Sequence, residues 1–254
     1  MSEYRATPPN DVILGLDLGQ SRDYTALSVT EVRTDFARRT TLYLTRTLDR
    51  WQPPRYQQVV DRVAAMVPKL TVGVLVDSPN GTGITLMRPR VTLVLDRTGV
   101  GRAVGDMFAE ASLPVDLQLV TITSGSEVNR DPDGGWKVPK KDLVADVAVA
   151  MQNGRFEVVE QLEHAATLRR EMQNFRARYS LAGNQTFAAG DDWRQGNHDD
   201  LVLAVALSLW WGEHTASRGG EVIAESYANV GAQDRAGAID ALWEAGWPTP
   251  YSRR

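Results

Sequence analysis

Apolar residues follow two rhythms along this chain. Short blocks rich in Val, Ile, Leu and Thr occupy residues 12–17, 24–32 and 40–48, and again 91–96 and 117–122, and each reads as a β-strand. The polar stretch from Gly19 to Asp23 joins the first two as a hairpin. After Pro53-Pro54 the rhythm turns helical, with Val59, Val60, Val63, Met66 and Val67 on one stripe. Residues 72–76 read as a further strand, or with 82–86 as a hairpin over Ser78-Pro79-Asn80-Gly81. A helix over about 101–111 follows the strand at 91–96. Residues 124–138 are turn-rich around Asp131-Pro132-Asp133-Gly134-Gly135 and predict a protruding hairpin or loop. Helices are expected over 139–152 and 160–178, a short strand near 185–188, and a last helix opening at Asp199 or Asp200.

This order is strand, strand, strand, helix, strand, helix, strand, then helices. It predicts an α/β fold: a mixed sheet with antiparallel opening strands, then parallel crossovers, flanked by helices. The expected division is one domain over 1–212 and a tail over 213–254. The tail holds one amphipathic stretch, with Ile239, Leu242, Trp243 and Trp247 at helical spacing. It reads as a helix docking onto the core or as a partner-binding tail.

Composition narrows the classes. With 254 residues, 43% hydrophobic and 24% charged, the chain has enough apolar material for a globular core. It holds no cysteine, which excludes disulfides and thiolate metal sites and fits a reducing compartment. No apolar run reaches the ~18 residues of a membrane span, so a cytoplasmic protein without membrane contact is expected. The net charge of −4 disfavours tight standalone binding to DNA and suggests delivery by other parts.

Candidate chemistry lies in acidic residues at element ends. Asp17 closes the first apolar run and Asp96 closes the run 91–96, before Thr98-Gly99-Val100-Gly101. Asp199 and Asp200 follow His198 and open a helix that is almost wholly apolar from Leu201 to Trp211. Capping explains paired acids at a helix start, yet a helix buried in the core also aims them firmly. Asp200 is the preferred ligand and Asp199 a supporting or capping residue. Strand ends and a helix start can converge beyond the carboxyl edge of an α/β sheet, and three converging carboxylates call for divalent cations. Oxygen-only ligation suits Mg²⁺ or Mn²⁺. Lys137, Lys140, Lys141, Arg102 and His198 are candidate contacts to DNA phosphates, against a plainer role as solvated charges. Only three histidines occur, without zinc spacing, and neither a P-loop nor a Gly-x-Ser-x-Gly elbow is present.

Five segments together resemble the nuclease domain of the large terminase subunit of tailed bacteriophages and prophages. They are Gly15 to Leu27, Leu95 to Gly101, Val138 to Val144, Leu168 to Phe175, and His198 to Ala204. The resemblance implies an RNase H-like fold and a metal-dependent endonuclease that cuts concatemeric double-stranded DNA during genome packaging in the host cytoplasm. It implies that Asp17, Asp96 and Asp200 bind two Mg²⁺ or Mn²⁺ ions for two-metal phosphodiester hydrolysis. The family's packaging ATPase has no motif here, so a separate packaging ATPase, a small terminase subunit or a portal is the expected partner. The rivals are a Holliday-junction-resolvase-like nuclease, a small ATP-dependent kinase of the actin and sugar-kinase type, and a non-catalytic phage adaptor.

Overall fold

A computed structural model of the chain describes residues 9–19, 23–35, 40–53, 55–77, 84–99, 101–181 and 199–227, with the backbone alone at 77, 174–181 and 216–227. The strand expected near 185–188, the stretch 236–247, the 78–81 turn and His198 lie outside the described residues.

Three strands open the chain as an antiparallel meander: β1 (Asp11–Asp17), β2 (Thr25–Asp35) and β3 (Thr40–Trp51). Helix α1 (Gln57–Leu70) follows, then a separate two-stranded sheet of β4 (Val74–Asp77) and β5 (Ile84–Met87). The main sheet resumes with β6 (Val91–Asp96), which lies parallel to β1, then helix α2 (Gly101–Glu110) and β7 (Asp116–Thr123). A hairpin of β8 (Asn129–Arg130) and β9 (Trp136–Pro139) leads into α3 (Lys140–Gln152). The chain continues through β10 (Phe156–Val158), α4 (Ala165–Leu181) and α5 (Asp200–Tyr227). Eight of the described strands form one sheet in the order β10-β3-β2-β1-β6-β7-β9-β8. This is the expected RNase H-like arrangement, a mixed sheet with helices on both faces. No helix among the described residues is long and apolar enough to cross a membrane.

Strand alternation sorts the core into two halves. In β1, Leu14 and Leu16 face α1 and α2, packing with Val59, Val63, Val104 and Phe108. Ile13 faces the other way, into a cluster with Leu143 of α3 and Leu201, Val205 and Leu209 of α5. Helix α5 is apolar on all sides in its first three turns, so it is buried rather than laid on the surface. Burial of each such leucine contributes about 1.5–3 kcal/mol. Its far turns meet β9 through Trp136, whose ring lies edge-on to Trp210 at 5.9 Å and to His214 at 4.6 Å. Gly15 lets this helix approach β1 closely: a Cβ there would stand 1.9 Å from the Ala204 carbonyl oxygen.

Three elements depart from the sequence expectation. β3 runs on to Trp51, three residues past the expected end, and this extension carries Arg50. β10 was not anticipated, since three residues are too few to show alternation; it pairs parallel to β3 and delays the start of α4 to Ala165. Helix α5 does not end near Trp211 but continues to Tyr227. Just beyond Trp211 the helix is tied to the sheet through Glu213, which is bound by Arg155 and by the Tyr43 hydroxyl, each at 2.6 Å.

Candidate metal centre

Register brings the strand-end acids together. Leu16 pairs with Leu95 in the parallel β1–β6 ladder, so Asp17 and Asp96 follow side by side at the strand ends. Alternation points both toward α5, on the face of Ile13 and Val94 rather than that of Leu16 and Leu95. The same row continues across the antiparallel strands, where Asp17 pairs with Ala26 and Ala26 with Arg50. β7 and β9 end at the same side of the sheet, and Lys140 begins α3 there. Below Asp96 the chain turns sharply into α2. Gly99 adopts a positive φ of 72°, and the Asp96 carboxylate accepts the Thr98 N–H at 2.8 Å.

Two helices close the site from above. The Asp199 carbonyl accepts the Leu203 N–H at 2.9 Å, so Asp199 stands at the cap of α5 and Asp200 in its first turn. The acceptor for the N–H groups of Leu201 and Val202 is Glu171 Oε2 of α4, at 3.1 and 3.3 Å. A carboxylate from another helix thus completes the start of α5, a role the sequence suggested for Asp199. Arg50 Nη2 binds Asp200 Oδ2 at 3.0 Å, and its Nη1 lies 3.6 Å from Glu171 Oε1. Its guanidinium also stacks on the Tyr24 ring, 4.1 Å from the centroid. Lys140 Nζ is 4.0 Å from Asp199.

The electrostatics mark these carboxyls as uncomfortable without cations. Burial holds the Asp17 pKa well above the usual carboxylate range; Asp96 and Asp200 add to the rise, and Lys140 opposes it. Burial also raises Asp96, against the Thr98 hydrogen bonds, Lys140 and a hydrogen bond from Asp17. Both strand-end acids thus lie where burial disfavours the charged carboxylate. Burial pushes Glu171 up to about 7 despite Arg50 and the two backbone donors. Glu171 Oε1 is buried without a hydrogen bond among the described residues. Buried carboxyl oxygens are a donor set suited to Mg²⁺ or Mn²⁺. Among the described residues no three acids or imidazoles close as a finished cage, and Arg50 stands between Asp200 and Glu171.

Sequence reasoning singled out Asp17, Asp96, Asp199 and Asp200, and the fold brings all four to one end of the sheet. It missed Glu171 and Arg50. Glu171 had a readable signal: it lies three residues after buried Leu168, a carboxylate on the apolar stripe of its helix. The basic candidates spread outward. Lys140 lies at the centre, Lys137 pairs with Asp131 at 3.6 Å, Arg102 binds Asp133 at 2.6 Å, and Lys141 is exposed. Arg97, buried beside Asp96, grips the β8–β9 turn through Asp131 and Asp133, and these bonds and charges hold Asp133 far below the usual carboxylate range.

Fold and site together define an α/β protein whose parallel strands end in a buried, carboxylate-lined centre. Solved structures of similar course are large terminase nuclease domains. The large terminase nuclease from thermophilic phage G20c with bound magnesium shares 17% identity at a TM-score of 0.48, over 81% of this chain and 83% of that one. The large terminase nuclease domain of Thermus phage P74-26 shares 19% identity at a TM-score of 0.46, over 78% of each chain. The human cytomegalovirus terminase nuclease domain, Mn soaked, shares 10% at 0.44, over 79% of this chain and 82% of that one. At these values the likeness lies in the course of the chain. No protein-family model and no curated protein matches.

Proposed function

We propose that this chain is a divalent-metal-dependent DNA endonuclease of the terminase large-subunit type, acting on double-stranded viral concatemers during packaging in the host cytoplasm. The observation that carries the reading is the side-by-side placement of Asp17 and Asp96 under Asp200, buried and mutually repelling, at the carboxyl ends of parallel strands. Asp17, Asp96 and Asp200 would hold Mg²⁺ or Mn²⁺, with Asp199 supporting. Bound there, such ions supply an activated water and stabilise the leaving oxygen in phosphodiester hydrolysis. The chain's own contribution is position. The β1–β6 register fixes the two strand-end acids, and Glu171 and the apolar body of α5 fix Asp200. Lys140 places a compact positive charge beside the acids, suited to a backbone phosphate. The net charge of −4 fits a nuclease brought to DNA by a separate packaging motor.

The test is cleavage of supercoiled plasmid with Mn²⁺, Mg²⁺ or EDTA, with wild type beside Asp17→Asn, Asp96→Asn and Asp200→Asn. Metal-dependent nicking and linearisation is expected from wild type, falling at least ~100-fold in each variant while circular dichroism stays unchanged. Cutting that survives all three substitutions would overturn the site assignment. A branched-junction substrate cut far faster than plasmid would favour a resolvase.

A further inference from the structure

The β4–β5 ribbon stands apart from the main sheet and shows one apolar face to solvent. Register pairs Leu75 with Leu86 and Asp77 with Ile84, so Leu75, Ile84 and Leu86 share a face, and they are 62, 70 and 52% exposed. Val76 points the other way and is buried. Gly73 continues the exposed face: a Cβ there would meet Leu86 Cδ1 at 2.8 Å and Arg88 Cγ at 3.1 Å. Arg88 therefore borders the apolar face, and its guanidinium donates to the Thr71 carbonyl at 2.9 Å. Lys69, in the last turn of α1 just before Thr71, is exposed. A two-stranded ribbon is marginal in water unless something covers it, and large aliphatic side chains exposed together mark a place of contact.

The chain itself supplies an occupant of matching chemistry. Ile239, Leu242, Trp243 and Trp247 fall on one helical stripe, and Asp240 and Glu244 lie along one border of it. Those carboxylates complement Arg88 and Lys69. The course of α5 brings the segment within reach. Thr215 lines a shallow cleft with Asp11 and Arg90, and Arg90 lies in the short connection from β5 to β6, so α5 passes the foot of the ribbon. From Thr215 to Tyr227 the helix advances ~18 Å. Residues 228–235 can span up to ~30 Å, enough to bring the stripe back to the ribbon.

We propose that residues 236–247 form an amphipathic helix that docks on the apolar face of the β4–β5 ribbon in the same chain, with Asp240 and Glu244 toward Arg88 and Lys69. Docking removes Leu242 and Trp243 from water together with Leu75 and Leu86, and that shared burial drives it. The contact lies at the opposite ends of β1 and β6 from Asp17 and Asp96, so its failure leaves the metal-centre reading untouched.

The chain holds no cysteine, so introduced pairs report contacts without background. The full chain carrying Leu86→Cys with Leu242→Cys is oxidised in dilute solution, beside Leu86→Cys with Ala241→Cys, which faces away from the stripe. Non-reducing electrophoresis separates bridges within a chain from bridges between chains. A bridge within the chain, forming at least ~10-fold faster in the first pair, is expected. Equal rates in the two pairs would overturn the proposal. Bridges mainly between chains would also overturn it and assign the face to a second copy. Hydrogen exchange gives a reading without cysteines, in wild type beside the double variant Leu75→Asp with Leu86→Asp, with circular dichroism as the check on folding. Amides of 239–247 should exchange ~10-fold faster in the variant. Unchanged exchange there would mean that the tail does not rest on the ribbon.

Discussion

Gly15 shows how much of the site depends on a single atom that is missing. A methyl there would meet the Ala204 carbonyl oxygen at 1.9 Å and Ser208 Oγ at 2.6 Å. The nearer neighbour is helix backbone and cannot swing aside, so α5 would have to lift off β1. Gly15→Ala is expected to destabilise the protein by about 3 kcal/mol, the upper range for overpacking, read as a lowered urea midpoint. It should also weaken Mn²⁺ binding, because α5 carries Asp200 and Gly15 lies two residues before Asp17. The three principal acids were legible in the sequence because each ends or opens an apolar run, and local pattern reports that directly. Arg50 was not, because its role arises from a cross-strand row and from Ala26 leaving the way clear. Such relations exist only once register is set.

At the scale of elements, α5 is the piece that joins fold to chemistry, and its first turn is held by a carboxylate from α4. Glu171→Ala would leave the N–H groups of Leu201 and Val202 without their acceptor in a buried place. The expected loss is about 1–2 kcal/mol in thermal or urea unfolding, with faster hydrogen exchange at residues 200–203 as the local sign. Unchanged exchange there would mean that Asp199 alone suffices as a cap. The element order and the mixed sheet were readable from periodicity. The misses have physical reasons: β10 is stabilised by pairing with β3 rather than by its own pattern, and the turn of α5 after its apolar stripe is anchored by tertiary contacts, Arg155 and Tyr43 to Glu213. The β8–β9 turn was recognised from its Asp, Pro and Gly residues, yet its anchor, buried Arg97, is set by tertiary contact.

For the whole molecule, charge makes stability depend on pH in a definite direction. Asp146 on α3 is pushed up to about 6 by burial, with Glu213 and Asp142 adding to the rise and Arg155 opposing it. A carboxyl whose folded pKa exceeds its unfolded value of 3.8 binds its proton more tightly in the native state. Its contribution is therefore neutral below the unfolded pKa and turns unfavourable as pH rises from about 4 through 6. Glu171, at about 7, extends the same trend upward when no metal is bound. The metal-free protein should lose stability between pH 4 and 7. Asp146→Asn should flatten the lower part of that slope and be the more stable protein at pH 7.5, measured by urea midpoints across the range. An unaltered slope would show that Asp146 does not titrate differently on folding. The short outer strands carry a last consequence. The described sheet finishes with three residues in β10 on one side and two in β8 on the other. β10 pairs with only Tyr43, Leu44 and Thr45 of the twelve-residue β3, so most of that strand's outer edge has no strand partner among the described residues. A further strand could widen the sheet along that edge of β3.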